Sequence, residues 1–295
     1  MRITRIAILL AVISMTAFAQ PAPAQTTSDW KSVEQALGRA GDRQADGAIK
    51  FGYPRSDLKV SVRGTPIAAG LALGGWVAFF GSDPDTMLMG DLVLTEEELP
   101  KVMTRLLGSP VQVTAVHNHL QNESPRVMYM HISGHGKAME LAQTVAAAMK
   151  LTGAPQPSPN ASAAPKLPLD PKTLDTCFHM PGKVKGPVIM YAAPPPTEIT
   201  EHGMKVANSA GLNIGINIQP VAADRVLATG DFVLLGERVN AVAKTLTDGG
   251  IQVTALHSHM LDESPRLFFM HFWADGEPSA VCTTLRKALD TAAGH

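Results

Sequence analysis

An α+β fold is predicted: two homologous copies of a mostly antiparallel sheet packed by helices, in a pseudo-two-fold arrangement. Three observations predict it. Residues 111–136 align with 251–276 at an offset of 140, with about half the positions identical. Strand-like and helix-like periods follow one another in the same order in both halves. A Pro/Ala/Ser-rich stretch that cannot build a core separates them.

The repeat sets the domain organisation. Gly90-Asp91-Leu92-Val93-Leu94 matches Gly230-Asp231-Phe232-Val233-Leu234, and Ala69-Gly70-Leu71 matches Ala210-Gly211-Leu212 with one residue of slippage. The first copy is expected over 30–151, the linker over 152–171 and the second copy over 172–295. A period this long is duplication of a small domain, not a solenoid, and a large interface between the copies is expected.

Within the first copy a short helix is predicted over 33–39. Strands follow over 58–62, 71–80 and 87–94. Thr95 with Glu98 is a capping-box pattern that opens a helix to about 107. Two strands over 111–120 and 126–133 are joined by a short turn containing Pro125. An amphipathic helix over 137–150 closes the copy, and its counterpart is expected over 279–292.

Composition bounds the partners. The chain has 295 residues, 45% hydrophobic and 17% charged, with a formal charge of −1. No basic surplus is present to neutralise phosphates, which argues against nucleic acid. Arg2 and Arg5 precede an apolar stretch over 6–19, and Ala17-Phe18-Ala19 and Ala22-Pro23-Ala24 both fit signal-peptidase sites. Residues 1–24 therefore read as a signal peptide, with a periplasmic or secreted mature protein and no membrane anchor after cleavage. Such a compartment permits a bond between the two cysteines, Cys177 and Cys282; two buried thiols are the alternative.

The candidate chemistry lies in one hairpin, written twice. VHNHLQNESPRVMYMH in the first copy returns as LHSHMLDESPRLFFMH in the second. Residues two apart on a strand face the same side, so His117 and His119 project together. A turn near Glu123 sets Tyr129 opposite His117 and brings His131 to the same face. The even positions, Val116 and Leu120 among them, are expected to form the core face. His257, His259, Glu263 and His271 repeat the pattern.

Neutral imidazoles with a carboxylate suit a divalent metal (Zn²⁺, Fe²⁺, Mn²⁺ or Cu²⁺), so one site is expected per hairpin. The H-x-H-x₃-E spacing also occurs in cupins, but the third histidine follows too closely for one. If the protein is an enzyme, Glu123 and Glu263 are the catalytic candidates, as ligand or general base. Arg126 and Arg266 are the candidates for binding an anionic substrate; a salt bridge to the neighbouring glutamate is their structural alternative. Asp91 and Asp231 read as turn residues, with a role in holding a histidine tautomer as the alternative. A non-catalytic module for a metal or small ligand, and an envelope protein whose histidines only complete internal hydrogen bonds, are the competing readings.

Leu71-Ala72-Leu73-Gly74, Gly90-Asp91-Leu92-Val93-Leu94, VTALHSHM over 253–260 and DESPRLFFMHFW over 262–273 resemble the LppY/LpqO family of secreted or lipid-anchored bacterial proteins. The resemblance covers both copies and implies secretion and a duplicated domain, but no reaction. Ser258 stands where the family pattern has Asn, which Asn118 keeps, and the anchor cysteine of the lipidated members is missing.

Overall fold

The computed structural model describes residues 30–156 and 166–294. The expected signal peptide and the middle of the expected linker lie outside them. The class is α+β, as the periodicities predict. Each copy contributes a six-stranded antiparallel sheet. In the first copy the strands lie in the spatial order Asp42–Arg43, Ile49–Pro54, Gly74–Phe80, Thr86–Thr95, Val127–Gly136, Val111–His117. In the second the order is Lys183–Lys185, Val188–Ala193, Ile214–Ala222, Arg225–Leu235, Leu267–Gly276, Gln252–His257.

Burial explains why these sheets face each other. Thr86–Thr95 is buried at nine consecutive positions, a run that fits a strand covered on both faces. Leu88, Leu92 and Leu94 pack against Val33, Val102, Leu141 and Val145 of the first copy's helices. Met87 and Met89, on the other face, join Ala78 and Phe80 in a core shared with Ile199, Val206 and Ala210 of the second copy. The layers are therefore helix, sheet, sheet, helix. A third cluster, with Val93, Val127 and Tyr129 from one copy and Val188, Leu227 and Trp273 from the other, also spans the interface.

Local expectations held in part. The capping box is present: Thr95 N donates to Glu98 Oε2 at 2.9 Å, and Glu98 N donates to Thr95 Oγ1 at 3.3 Å. The helix itself runs Leu99–Leu106. Glu98 also pairs with the buried Arg55 at 2.6 Å, which ties the helix start to the sheet. The apolar run expected as a strand over 71–80 begins instead with a helical turn, Ala69–Ala72, and pairs only from Gly74. Leu71 and Leu73 are fully buried there, so a strand-like composition serves a turn packed against the partner sheet.

Cys177 and Cys282 are bonded and join the helices Pro171–Phe178 and Pro278–Ala293. Among the described residues no helix is long and apolar enough to cross a membrane.

Two outcomes are expected. Reducing the Cys177–Cys282 bond, which closes 105 residues, lowers stability by roughly 4–5 kcal/mol in the chain-entropy account, measured as a shift in denaturant midpoint. Glycine is required where strands approach: a Cβ on Gly230 would stand 1.9 Å from the Gly215 carbonyl oxygen, whereas one on Gly90 meets Val77 at 2.8 Å. Gly90→Ala is expected to cost about 1–3 kcal/mol, and Gly230→Ala more; equal losses in urea unfolding would contradict the packing described.

Candidate metal centre

A β-bulge aims the histidines. Val113 pairs with Ile132, but Ala115 already pairs with His131, and the same shift falls between Val253 and Ala255. Paired residues share a face, and the extra residue, Thr114 or Thr254, switches the strand from one face to the other. Ala115, His117 and His119 thereby join His131 on the face turned to the other copy. His117 pairs with Tyr129, the register that the turn predicts. The expected core face is corrected at Val116, which is 38% exposed, as its counterpart Leu256 is at 49%, because they are left on the outer face of an edge strand; Leu120 is buried as expected.

The bulged threonines also fasten the copies together. Thr114 Oγ1 donates to the His259 carbonyl at 2.6 Å, and Thr254 Oγ1 donates to the His119 carbonyl at 2.7 Å. Each copy thus holds the other's histidine segment.

The six histidines form one cluster on the pseudo-two-fold, where the sequence reading places one site in each hairpin. The His117 and His257 ring centroids lie 3.6 Å apart across the axis. His119 stacks on His271 at 3.8 Å, and His131 on His259 at 3.7 Å. Tyr129 and Phe269 cap the outer faces of His119 and His259, each at 3.4 Å. Four overlapping triads have ligand atoms within 4.8 Å of one another: His117/His131/His257, His117/His119/His271, His257/His259/His271 and Asp91/His119/His131. The first two draw on both copies.

Asp91 and Asp231 complete the set. They sit in mid-strand, paired with His131 and His271, and not in turns. Asp91 lies 3.7 Å from His119 Nε2 and 4.0 Å from His131 Nε2; Asp231 lies 3.6 Å from His259 Nε2 and 4.0 Å from His271 Nε2. Sequence reasoning gave these aspartates to turns. The usable signal was the repeated Gly-Asp inside an apolar run too long to be a turn.

Charge and protonation are the unusual features. His271 Nδ1 lies 3.0 Å from the Gly230 carbonyl and His257 Nδ1 3.2 Å from the Ser258 carbonyl. A carbonyl only accepts, so His271 Nδ1 carries the proton and its Nε2 is a lone pair. His257 Nε2 lies 2.9 Å from that lone pair, and a neutral His257 has one ring proton for two acceptors, the Ser258 carbonyl and His271 Nε2. His131 makes the equivalent bond to the Gly90 backbone. Burial lowers the pKa of every ring, to about 4 for His257 and about 3 for His271, and neighbouring imidazoles add to the effect in all but His257. Burial raises Asp91 to about 7, partly offset by Lys50, and raises Asp231 well above the carboxylate range. Ten buried side-chain polar atoms among the described residues make no hydrogen bond; seven belong to Asp91, Asp231, His117, His119, His131 and His259.

Glu123 and Glu263 are placed elsewhere. Glu123 Oε1 accepts from Asn118 Nδ2 at 3.3 Å, and Arg126 donates to Asn118 Oδ1 at 3.1 Å. Glu263 accepts from the Leu267 N–H at 3.1 Å and pairs with Arg266 at 3.3 Å. Asn118 Nδ2 and Ser258 Oγ donate to the equivalent carbonyls of Val127 and Leu267, so the departure at Ser258 preserves the brace. Neither glutamate belongs to the triads above. Glu123 and Arg126 line a separate depression of about 540 Å³.

A cavity of about 480 Å³ adjoins the cluster. Asp91, Asp231, His119, His131, His259 and His271 form part of its wall. Lys50 acts on the Asp91 carboxylate; burial lowers its own pKa to about 8, opposed by Asp91 and Asp46.

Comparison with known proteins gives one finding. A family model described as Domain of Unknown Function (DUF1259) matches twice, over residues 31–151 and 172–291. No curated protein and no solved structure matches.

The metal-free protein has a defined pH response. Unfolded histidines titrate near pH 6.5 and the folded ones lower, His257 at about 4. Below about pH 6.5 the unfolded chain therefore binds more protons, and stability falls as pH falls. Asp91 and Asp231 act in the opposite sense, losing stability as pH rises from about 4 through 7, but six imidazoles outweigh two carboxylates. In chelator, the melting temperature is expected to be lower at pH 5 than at pH 7; an equal or higher value would contradict six buried neutral rings.

Proposed function

The chain belongs to the DUF1259 family, carrying its unit twice, and we propose that the two units together build one divalent transition-metal centre serving a small molecule in the adjoining cavity. The observation that carries this reading is the convergence of histidine and aspartate ligand atoms within 4.8 Å of one another, with seven ring and carboxylate atoms left without a hydrogen bond. A cation among them supplies partners for those atoms.

The donor chemistry fits Zn²⁺, Fe²⁺, Mn²⁺ or Cu²⁺, with neutral imidazoles and carboxylates as ligands. His257 and His271, whose Nε2 atoms lie 2.9 Å apart, would hold such an ion together and would supply it with neutral nitrogen donors. Asp91 with His119 and His131, and Asp231 with His259 and His271, form two like-built carboxylate–imidazole sets, with His117 and His257 between them. The backbone carbonyls of Gly90 and Gly230 hold His131 and His271 in the tautomer that ligation needs.

A centre walled by a cavity is the layout of a metal-assisted catalyst, where the ion polarises a substrate oxygen or activates water. Asp91 and Asp231 border both the metal-binding set and the cavity. They take the ligand or proton-accepting role that the spacing suggested for Glu123 and Glu263. We assign those glutamates, with Arg126 and Arg266, to bracing the hairpin ends. The LppY/LpqO resemblance and the N-terminal pattern support a secreted or periplasmic setting, as does the disulfide.

Untagged protein is expected to retain a divalent metal at one or two equivalents per chain by inductively coupled plasma mass spectrometry. His131→Ala in the first copy and His271→Ala in the second should each remove most of it, as neither copy builds the centre alone. Loss of half the metal in each variant would point to two independent sites, and no metal in the wild type would end the proposal.

A further inference from the structure

The two copies differ most where they line the cavity, and the differences run in one direction. Trp76 pairs with Asp91 in the first sheet; Gly215 pairs with Asp231 in the second. A side chain at Gly215 would meet nothing within 4 Å, so the cavity occupies the place that a tryptophan fills in the other half. Trp76 itself lies against Gly211, where a Cβ would come within 2.8 Å of its ring. Ala78 and Met89 of the first copy are core residues, but their register equivalents, Asn217 and Thr229, are polar and line the cavity. Lys50 is matched by Met190. A structural duplication has no need of a void beside its axis with polar groups of one copy turned into it.

We propose that this cavity binds an anionic organic molecule, a carboxylate or phosphate monoester, with Lys50 as the group that recognises the charge. Lys50 Nζ lies 3.9 Å from the Trp76 ring centroid and donates to the Ser209 carbonyl at 3.0 Å. An ammonium has three donors, and Lys50 lines the cavity, so it has capacity for a ligand oxygen. Trp76, Leu71 and Met190 supply apolar wall for the organic part, as small-molecule sites generally do. Asn217 spends one amide hydrogen on the Leu71 carbonyl, leaving its oxygen and second hydrogen for the ligand. The inference rests on the proposed metal centre for what the ligand meets at the carboxylate wall; recognition by Lys50 is separate.

The test is calorimetric titration of the metal-loaded full chain with phenyl phosphate, phenylacetate, inorganic phosphate and benzyl alcohol, with metal content measured on each sample. Phenyl phosphate or phenylacetate should bind, and whichever binds tighter identifies the class; inorganic phosphate and benzyl alcohol should bind at least about tenfold more weakly. Lys50→Met and Gly215→Trp, which copy the other half's residues, should each weaken the organic anion at least about tenfold with metal content unchanged. Absence of binding to the wild type, unchanged binding in Lys50→Met, or inorganic phosphate binding as tightly as the organic anion would each overturn the proposal. Lys50-dependent binding to a protein that holds no metal would sustain this inference and sink the metal centre.

Discussion

Six imidazoles and two carboxylates gathered between two sheets, seven of whose polar atoms make no hydrogen bond, are the constraint on which the rest of the structure turns. A buried polar atom without a partner costs about 1–3 kcal/mol. The Gly230 carbonyl holds the His271 proton on Nδ1, and both ring nitrogens of His117 are without a partner. Positive charge in the centre removes that cost, and protonation is opposed by burial. In the proposed reading a cation fills that role, held by the histidine and aspartate groups gathered here.

The architecture around the centre follows from that requirement. Antiparallel strands with one face toward helices and one toward the other copy would carry His117 and His119 to the helix side were the pairing regular beyond Val113. The bulge at Thr114 reverses the phase, and the same threonine then bonds the opposite copy's backbone. One inserted residue thus aims two ligands and fastens the interface. The close approach of the strands at Gly90 and Gly230 puts their carbonyls where His131 and His271 can donate to them.

Much of this was legible in the residues. Offset and period gave the class and the duplication; alternation placed His117, His119 and His131 on one face. Two things were not legible. Each hairpin carries a set that looks sufficient by itself, and nothing in one chain's periodicity says that the faces of two copies meet. The aspartates were hidden because Gly-Asp commonly marks a turn, and only strand pairing shows Asp91 opposite His131. Glu123 was conspicuous by its spacing, yet spacing does not reveal that Asn118 takes up its carboxylate. The bulge left no mark in the sequence beyond a threonine, so Val116 was given to the core.

The two copies match at the clustered histidines and aspartates and differ at the cavity wall, where Trp76 stands against Gly215 and Lys50 against Met190. The most direct test is anomalous diffraction from crystals of metal-loaded protein. The account predicts a peak on the pseudo-two-fold, within bonding distance of imidazoles from both copies and of Asp91 or Asp231. A peak held within a single hairpin beside Glu123 or Glu263, or no peak between the sheets, would contradict it.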